Sequence, residues 1–165
     1  MKSKKIVLLL TVIIVVSTMA CYWPISIINN MNGCLVSQDK GVLIKTISIK
    51  LKGTCYHRFI CQDKFNGTVE IEGKSYEVQT YEPGSFQSMI KSFESKLKGE
   101  ALFTSVRVMK DGMPRGLGGT IMISDNYSKI MGNINAVSNE YGDQSLMFAG
   151  PADTFVTAEK IINEI

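Results

Sequence analysis

The stretch Val42–Gly53, VLIKTISIKLKG, decides what kind of domain this chain builds. Ile47, Ile49 and Leu51 fall on one side of an extended chain, and Ser48, Lys50 and Lys52 on the other. Strict alternation of this kind is the signature of a half-buried strand, because successive strand side chains point to opposite faces. The same period continues downstream. In FNGTVEIEGKSYEVQT (Phe65–Thr80), Val69 and Ile71 point inward and Glu70 and Glu72 outward. Glu72-Gly73-Lys74-Ser75 supplies the turn, and Tyr76 and Val78 resume the alternation, so the pair reads as a β-hairpin.

After Pro83-Gly84-Ser85 the period changes. Phe86, Met89, Ile90, Phe93 and Leu97 are spaced as one face of an amphipathic helix, with Ser85 as a cap and Gly99 as its end. Strand character returns around Leu102, Val106 and Val108, at Ile121 and Ile123, from Ile130 to Ile134, and from Ser145 to Phe148. Residues 135–144 are polar and turn-rich. Pro151-Ala152-Asp153 opens a second amphipathic helix with Phe155, Ala158, Ile162 and Ile165 on one side. One echo links two of these strands: Phe65–Gly73 and Leu117–Asp125 share the form apolar-x-Gly-Thr-β-branched-x-Ile followed by a turn. A duplicated strand–hairpin unit and convergence on a strand-entry pattern both explain it.

Upstream of this domain stand Lys2, Lys4 and Lys5, then an uncharged run, Ile6–Trp23. As a helix that run is about 27 Å long, close to the roughly 30 Å hydrocarbon core of a bilayer. Lysines before it and none just after it place the N-terminus in the cytoplasm and the remainder outside. Tyr22 and Trp23 take the positions of interfacial aromatics. Three fates are open: an uncleaved transmembrane anchor, a signal cleaved after Thr18-Met19-Ala20, or lipidation at Cys21. The expected organisation is a cytoplasmic basic tail (1–5), an anchor or signal segment (6–28), a linker (29–41) and an extracytoplasmic α+β domain (42–165). The expected location is the cell membrane, single-pass, with a lipid-anchored or secreted chain as the alternative.

The chain carries 18 basic and 15 acidic side chains, a formal net charge of +3. The three N-terminal lysines account for that excess, so the outer domain is neutral overall, which argues against nucleic acid as a partner. Charge is unevenly spread: five basic residues and one acid lie between Asp39 and Arg58, and ten basic residues face fourteen acids from Phe59 onward. Of the four cysteines, Cys21 belongs to the N-terminal run. The remaining three, Cys34, Cys55 and Cys61, allow at most one bridge among themselves. Cys55 and Cys61 could pair across a turn, or all could be buried thiols.

Chemical motifs are sparse. His57, the only histidine, lies between Cys55 and Cys61 with Asp63 nearby. The C-x-H-x3-C spacing matches no standard zinc set, and no metal or cofactor is expected. Gly112–Gly119, GMPRGLGG, is followed by strand-like sequence and lacks the Gly-Lys-Ser/Thr of a phosphate-cradling loop. Arg115 at its tip and His57 remain the two weak candidates for ligand contact. Glu70 and Glu72 share a strand face but read as its solvated side. No catalytic residue is assigned.

The lysine-led N-terminal run, the hairpin at Phe65–Gly73 and the closing Phe148-Ala149-Gly150-Pro151-Ala152 together resemble small uncharacterised membrane-anchored proteins of Gram-positive bacteria. The resemblance implies no activity, cofactor or catalytic residue. The fold class expected is α+β: an N-terminal transmembrane helix, then one mostly antiparallel sheet of about six to eight strands with two amphipathic helices. The function expected is a non-enzymatic extracytoplasmic binding or interaction domain, with the membrane and a protein or cell-envelope component as partners. The alternatives are an extracytoplasmic enzyme with an unrecognised site, or a lipoprotein or accessory subunit of a membrane complex.

Overall fold

The computed structural model describes residues 2–21, 24–56, 64–80, 103–109, 118–124 and 126–164, and within the first helix the side chains of residues 6–16. That helix, α1 (Lys2–Cys21), is followed by eight strands: β1 (Pro24–Ser37), β2 (Val42–Tyr56), β3 (Lys64–Ile71), β4 (Lys74–Thr80), β5 (Phe103–Val108), β6 (Gly119–Ser124), β7 (Ile130–Ile134) and β8 (Leu146–Gly150). Helix α2 (Asn135–Tyr141) lies between β7 and β8, and helix α3 (Phe155–Ile162) follows β8. Each strand pairs antiparallel with the next, and β8 pairs with β1, so the sheet closes into a barrel.

Alternation explains closure. One face of every strand is apolar, and a sheet that curls until its ends meet buries that face without a second sheet. Ile49, Leu51, Val69, Val106, Ile121, Ile123 and Ile130 are all fully buried in one continuous cluster. Small eight-stranded barrels can be filled by their own side chains, and Phe65 and Phe148 supply the largest of them here. The glycines Gly53 and Gly67 face each other across β2 and β3. A Cβ at Gly53 would come within 2.5 Å of the Asn66 carbonyl oxygen, so this crossing admits only bare backbone.

The strands are strongly staggered. Stepping around the barrel from Ser26 through Thr54, Asn66, Gln79, Arg107, Thr120 and Asn133 reaches β8 one step from the Gly132–Phe148 pair. The next residue met there, Met147, pairs with Val36. Strand β1 is therefore met again about ten residues along its own length, a shear that tilts eight strands by about 40° to the barrel axis. Because of it, β1 touches β8 only over Cys34–Ser37, while Pro24–Gly33 pairs with β2 alone.

Among the described residues, one side of the outside is covered. A second cluster joins Cys34, Val36, Met131 and Ala149 on the barrel wall to Ala152, Ala158 and Ile161. It seats α3 against β8 and β1. Thr154 caps α3, accepting a hydrogen bond from the Thr157 amide in a capping box.

Several sequence expectations are overturned. The fold is a closed eight-stranded antiparallel barrel with short helices, not an α+β domain of one mostly antiparallel sheet and two amphipathic helices behind a transmembrane helix. Among the described residues no helix is long and apolar enough to cross a membrane. The described apolar side chains of α1 run from Ile6 to Val16, about 16 Å of rise. Pro24 opens β1 inside the expected 6–28 span, because proline ends a helix but is tolerated at the first residue of a strand. The expected linker over 29–41 is likewise mostly β1, and the polar stretch 135–144 contains α2. The 65–80 hairpin appears with its turn reduced to Glu72 and Gly73, both at positive φ. The helix expected from Ser85 to Gly99 lies outside the described residues.

The sequence echo also has a structural reading. Its two copies are β3 and β6, three positions apart in an up-and-down barrel. They therefore run in opposite directions, whereas tandem duplication of a four-strand half would match β3 with β7. Convergence on a strand-entry pattern fits this order.

Candidate functional site

The barrel has two ends of different chemistry. The lower end, where β1 stops and β8 starts, is polar. Asp143 sits there with its side chain largely covered. Ser37 Oγ donates to Asp143 Oδ2 at 2.7 Å, and Ser145 donates to Oδ1 through its amide at 2.9 Å and its hydroxyl at 2.7 Å. Lys40 Nζ adds an ion pair at 3.2 Å. The hydroxyls of Ser145 and Ser37, and then Lys40, hold the Asp143 carboxyl well below the usual carboxylate range. The group is a latch. It ties the β1–β2 connection to the loop before β8, at the seam where the barrel closes.

More ion pairs surround it. Lys45 meets Glu72 at 2.8 Å and Lys74 meets Glu140 at 2.6 Å, and each lysine is raised chiefly by its hydrogen bond to that carboxylate. Beside them Val42, Leu43 and Ile44 form an exposed apolar run at the start of β2.

The upper end, at Pro24, Tyr56 and Lys64, is apolar and aromatic. The Phe65 and Tyr127 rings pack with centroids 6.3 Å apart, and the Tyr127 hydroxyl donates to the buried Cys55 sulfur. Thr80 Oγ1 accepts from the Phe65 amide at 2.6 Å and donates to the Phe65 carbonyl at 3.1 Å, finishing the β3–β4 ladder with a side chain. Ile27 and Met31 lean from β1 onto the same core. Asn29 donates to the Tyr127 carbonyl at 2.8 Å.

The outer edge of β1 runs along this end. The Asn32 carbonyl points away from β2 and accepts from the Ala152 amide at 3.0 Å. By the two-residue period of a strand, the backbone groups of Asn30, Ile28 and Ser26 point the same way. No described strand pairs with them. Ile28, at the middle of this edge, is 65% exposed, and Ile25 is exposed beside it.

Lys2, Lys4, Lys5 and Cys21 belong to the backbone of α1, with side chains outside the described set. Tyr22, Trp23, His57 and Arg115 lie outside the described residues, as do Cys61 and Asp63. Cys34 is a buried free thiol, and burial, aided by Asp153, pushes it up, away from the thiolate that reactive cysteines need. Glu70 lies within 3.9 Å of Lys50 on the outer wall, as a solvated strand face would.

Sequence reading missed the Asp143 latch and the β1 edge. Ser37 and Asp143 are 106 residues apart, so no local spacing could join them. No protein-family model, curated protein or solved structure matches this chain. The resemblance to small Gram-positive proteins therefore rests on the quoted sequence motifs alone.

Proposed function

We propose that this protein is an exported binding module that meets its partner with the outside of the barrel. The observation that carries this reading is a reversal of the usual arrangement of a ligand-holding barrel. The inside is filled by Ile49, Leu51, Phe65, Val69, Ile121, Ile123 and Phe148, all essentially inaccessible, while apolar side chains stand exposed on the projecting β1–β2 hairpin. Val42, Leu43 and Ile44 are consecutive, so both faces of the strand present apolar surface there. Contiguous exposed apolar surface is a common mark of a protein–protein contact.

Export is supported by α1. Apart from Thr11, the described side chains Ile6–Val16 are apolar and mostly about half exposed or more, so the barrel does not use them as core. Such a helix after a lysine cluster suits a leader that is removed, or replaced by lipid at Cys21.

A photo-crosslinking residue at Leu43, with a control at the outward Lys52, tests the binding reading in cells. A discrete adduct from position 43, lost on adding Val42→Lys and Ile44→Lys, is expected. Equal labelling from both positions overturns it. Fractionation with intact-mass measurement tests export: a chain beginning at or near Cys21 outside the cytoplasm is expected, and a full-length chain in the cytosol overturns it.

A further inference from the structure

The open edge of β1 has a chemistry that selects its occupant. Unpaired strand edges attract other strands, and proteins usually blunt them with lysine, proline, bulges or a covering element. Among the described residues the barrel leaves two such edges, and they are treated differently. The lower one is the start of β2, beyond the point where Glu72 donates from its amide to the Ser48 carbonyl and ends the contact with β3. There Lys45 reaches across to Glu72. The upper one, Pro24–Gly33 of β1, carries no charged side chain, and its single proline stands at its first residue. Its central outward side chain, Ile28, is the most exposed apolar residue of any strand.

We infer that this edge pairs with the same edge of a second copy, giving an antiparallel dimer with its two-fold axis at Ile28. Three features favour a second copy over a foreign peptide. An antiparallel strand pair about a two-fold is self-complementary, so one patch serves both subunits. Centring on Ile28 sets Ser26 against Asn30 of the other copy and Ile28 against Ile28. No like charges meet, and the two exposed isoleucines cover each other. The backbone direction also fits: Ser26, Ile28 and Asn30 all present N–H and C=O to the open side, so each can exchange both hydrogen bonds with its opposite residue. The pairing consumes the uncharged edge, and the remaining edge carries Lys45, so assembly closes at two. This inference stands independently of the partner surface at Val42–Ile44, which lies at the other end.

Cysteine cross-linking on the full chain tests it. In a hydrogen-bonded antiparallel pair the opposed Cα atoms are about 5.5 Å apart, within disulfide reach. Under mild oxidation, Ile28→Cys is expected to give a covalent dimer well above the wild-type background from the native cysteines. Ser26→Cys alone should stay at background. A mixture of Ser26→Cys and Asn30→Cys chains should give the mixed dimer. A uniform yield from all three positions, or background yield from Ile28→Cys, overturns the proposal. Light scattering provides the second arm. Ile28→Lys, at a solvent-exposed position, should halve the mass of the chain while leaving its far-ultraviolet circular dichroism unchanged. An unchanged mass overturns the dimer. So does a chain already monomeric as wild type, whether a separate peptide or another segment of the same chain covers the edge.

Discussion

The two ends of the barrel close by different means. The lower end closes with charge and hydroxyl groups: Asp143 with Ser37, Ser145 and Lys40, flanked by Lys45–Glu72 and Lys74–Glu140. The upper end closes with apolar bulk: Phe65 on Tyr127, Ile27 and Met31 over the core, Thr80 finishing the ladder. The shear explains why both are needed. A staggered barrel leaves its first strand projecting at one end and its second at the other, and each projection exposes backbone. At the lower end that backbone is guarded by lysines. At the upper end the Asn32 carbonyl accepts from the Ala152 amide, and no described strand pairs with the rest of that edge. Protection and availability are thus separated along one hairpin.

The largest effect is expected from removing the upper plug. Phe65→Ala deletes a fully buried ring and should lower the unfolding free energy by about 3–5 kcal/mol. Urea titration would check this, and a loss below about 1 kcal/mol would mean that the Phe65–Tyr127 contact does not close this end. Next comes the bare crossing of β2 and β3. Gly67→Ala forces a Cβ against the Lys52 carbonyl and Gly53, with an expected cost of about 1–3 kcal/mol, again read from urea midpoints.

The lower latch should respond to pH as well as to mutation. Hydrogen bonds from Ser145 and Ser37 hold the folded carboxyl of Asp143 below the ordinary aspartate range. A depressed carboxylate contributes stability that is fully present above the unfolded value and is lost as pH falls through it toward the folded value. Asp143→Asn should therefore lower the melting temperature at neutral pH, and the gap from wild type should narrow below about pH 4. A gap that stays constant down to pH 2 would remove the latch from the account. The smallest effect is expected at the open edge. Ile28→Ser should change stability by less than about 0.5 kcal/mol, measured by thermal unfolding in monomeric conditions. A large loss there would mean that the edge is covered within the folded chain.

Much of the barrel wall was legible in advance. Ile47, Ile49, Leu51, Val69, Ile71, Ile121 and Ile123 point inward as their alternation implies, because strand periodicity is a property of the local backbone. The hairpin turn at Glu72-Gly73 was legible for the same reason: glycine tolerates the positive φ the turn needs. Strand β1 was not. Its Asn29-Asn30-Met31-Asn32-Gly33 run has low strand propensity, and it becomes a strand because β2 offers a partner along its whole length. Helix α2 was missed in the polar stretch 135–144. Its buried Val137 and Ser138 gain a site only once β7 and β8 are in place.

Taken by itself, the amino-acid sequence determined the strands' inward faces, the position of the tight turn and the amphipathic C-terminal helix, since each depends on neighbours a few residues away. It also determined that the uncharged run ahead of the domain is unlike the rest of the chain. Tertiary structure alone decided that the sheet closes, that it closes with a stagger of about ten residues between Ser26 and Val36, and that Ser37 meets Asp143. It decided equally that Pro24 begins a barrel strand rather than continuing a helix. These outcomes depend on which distant segments compete for the same backbone hydrogen bonds, and no local pattern records that competition.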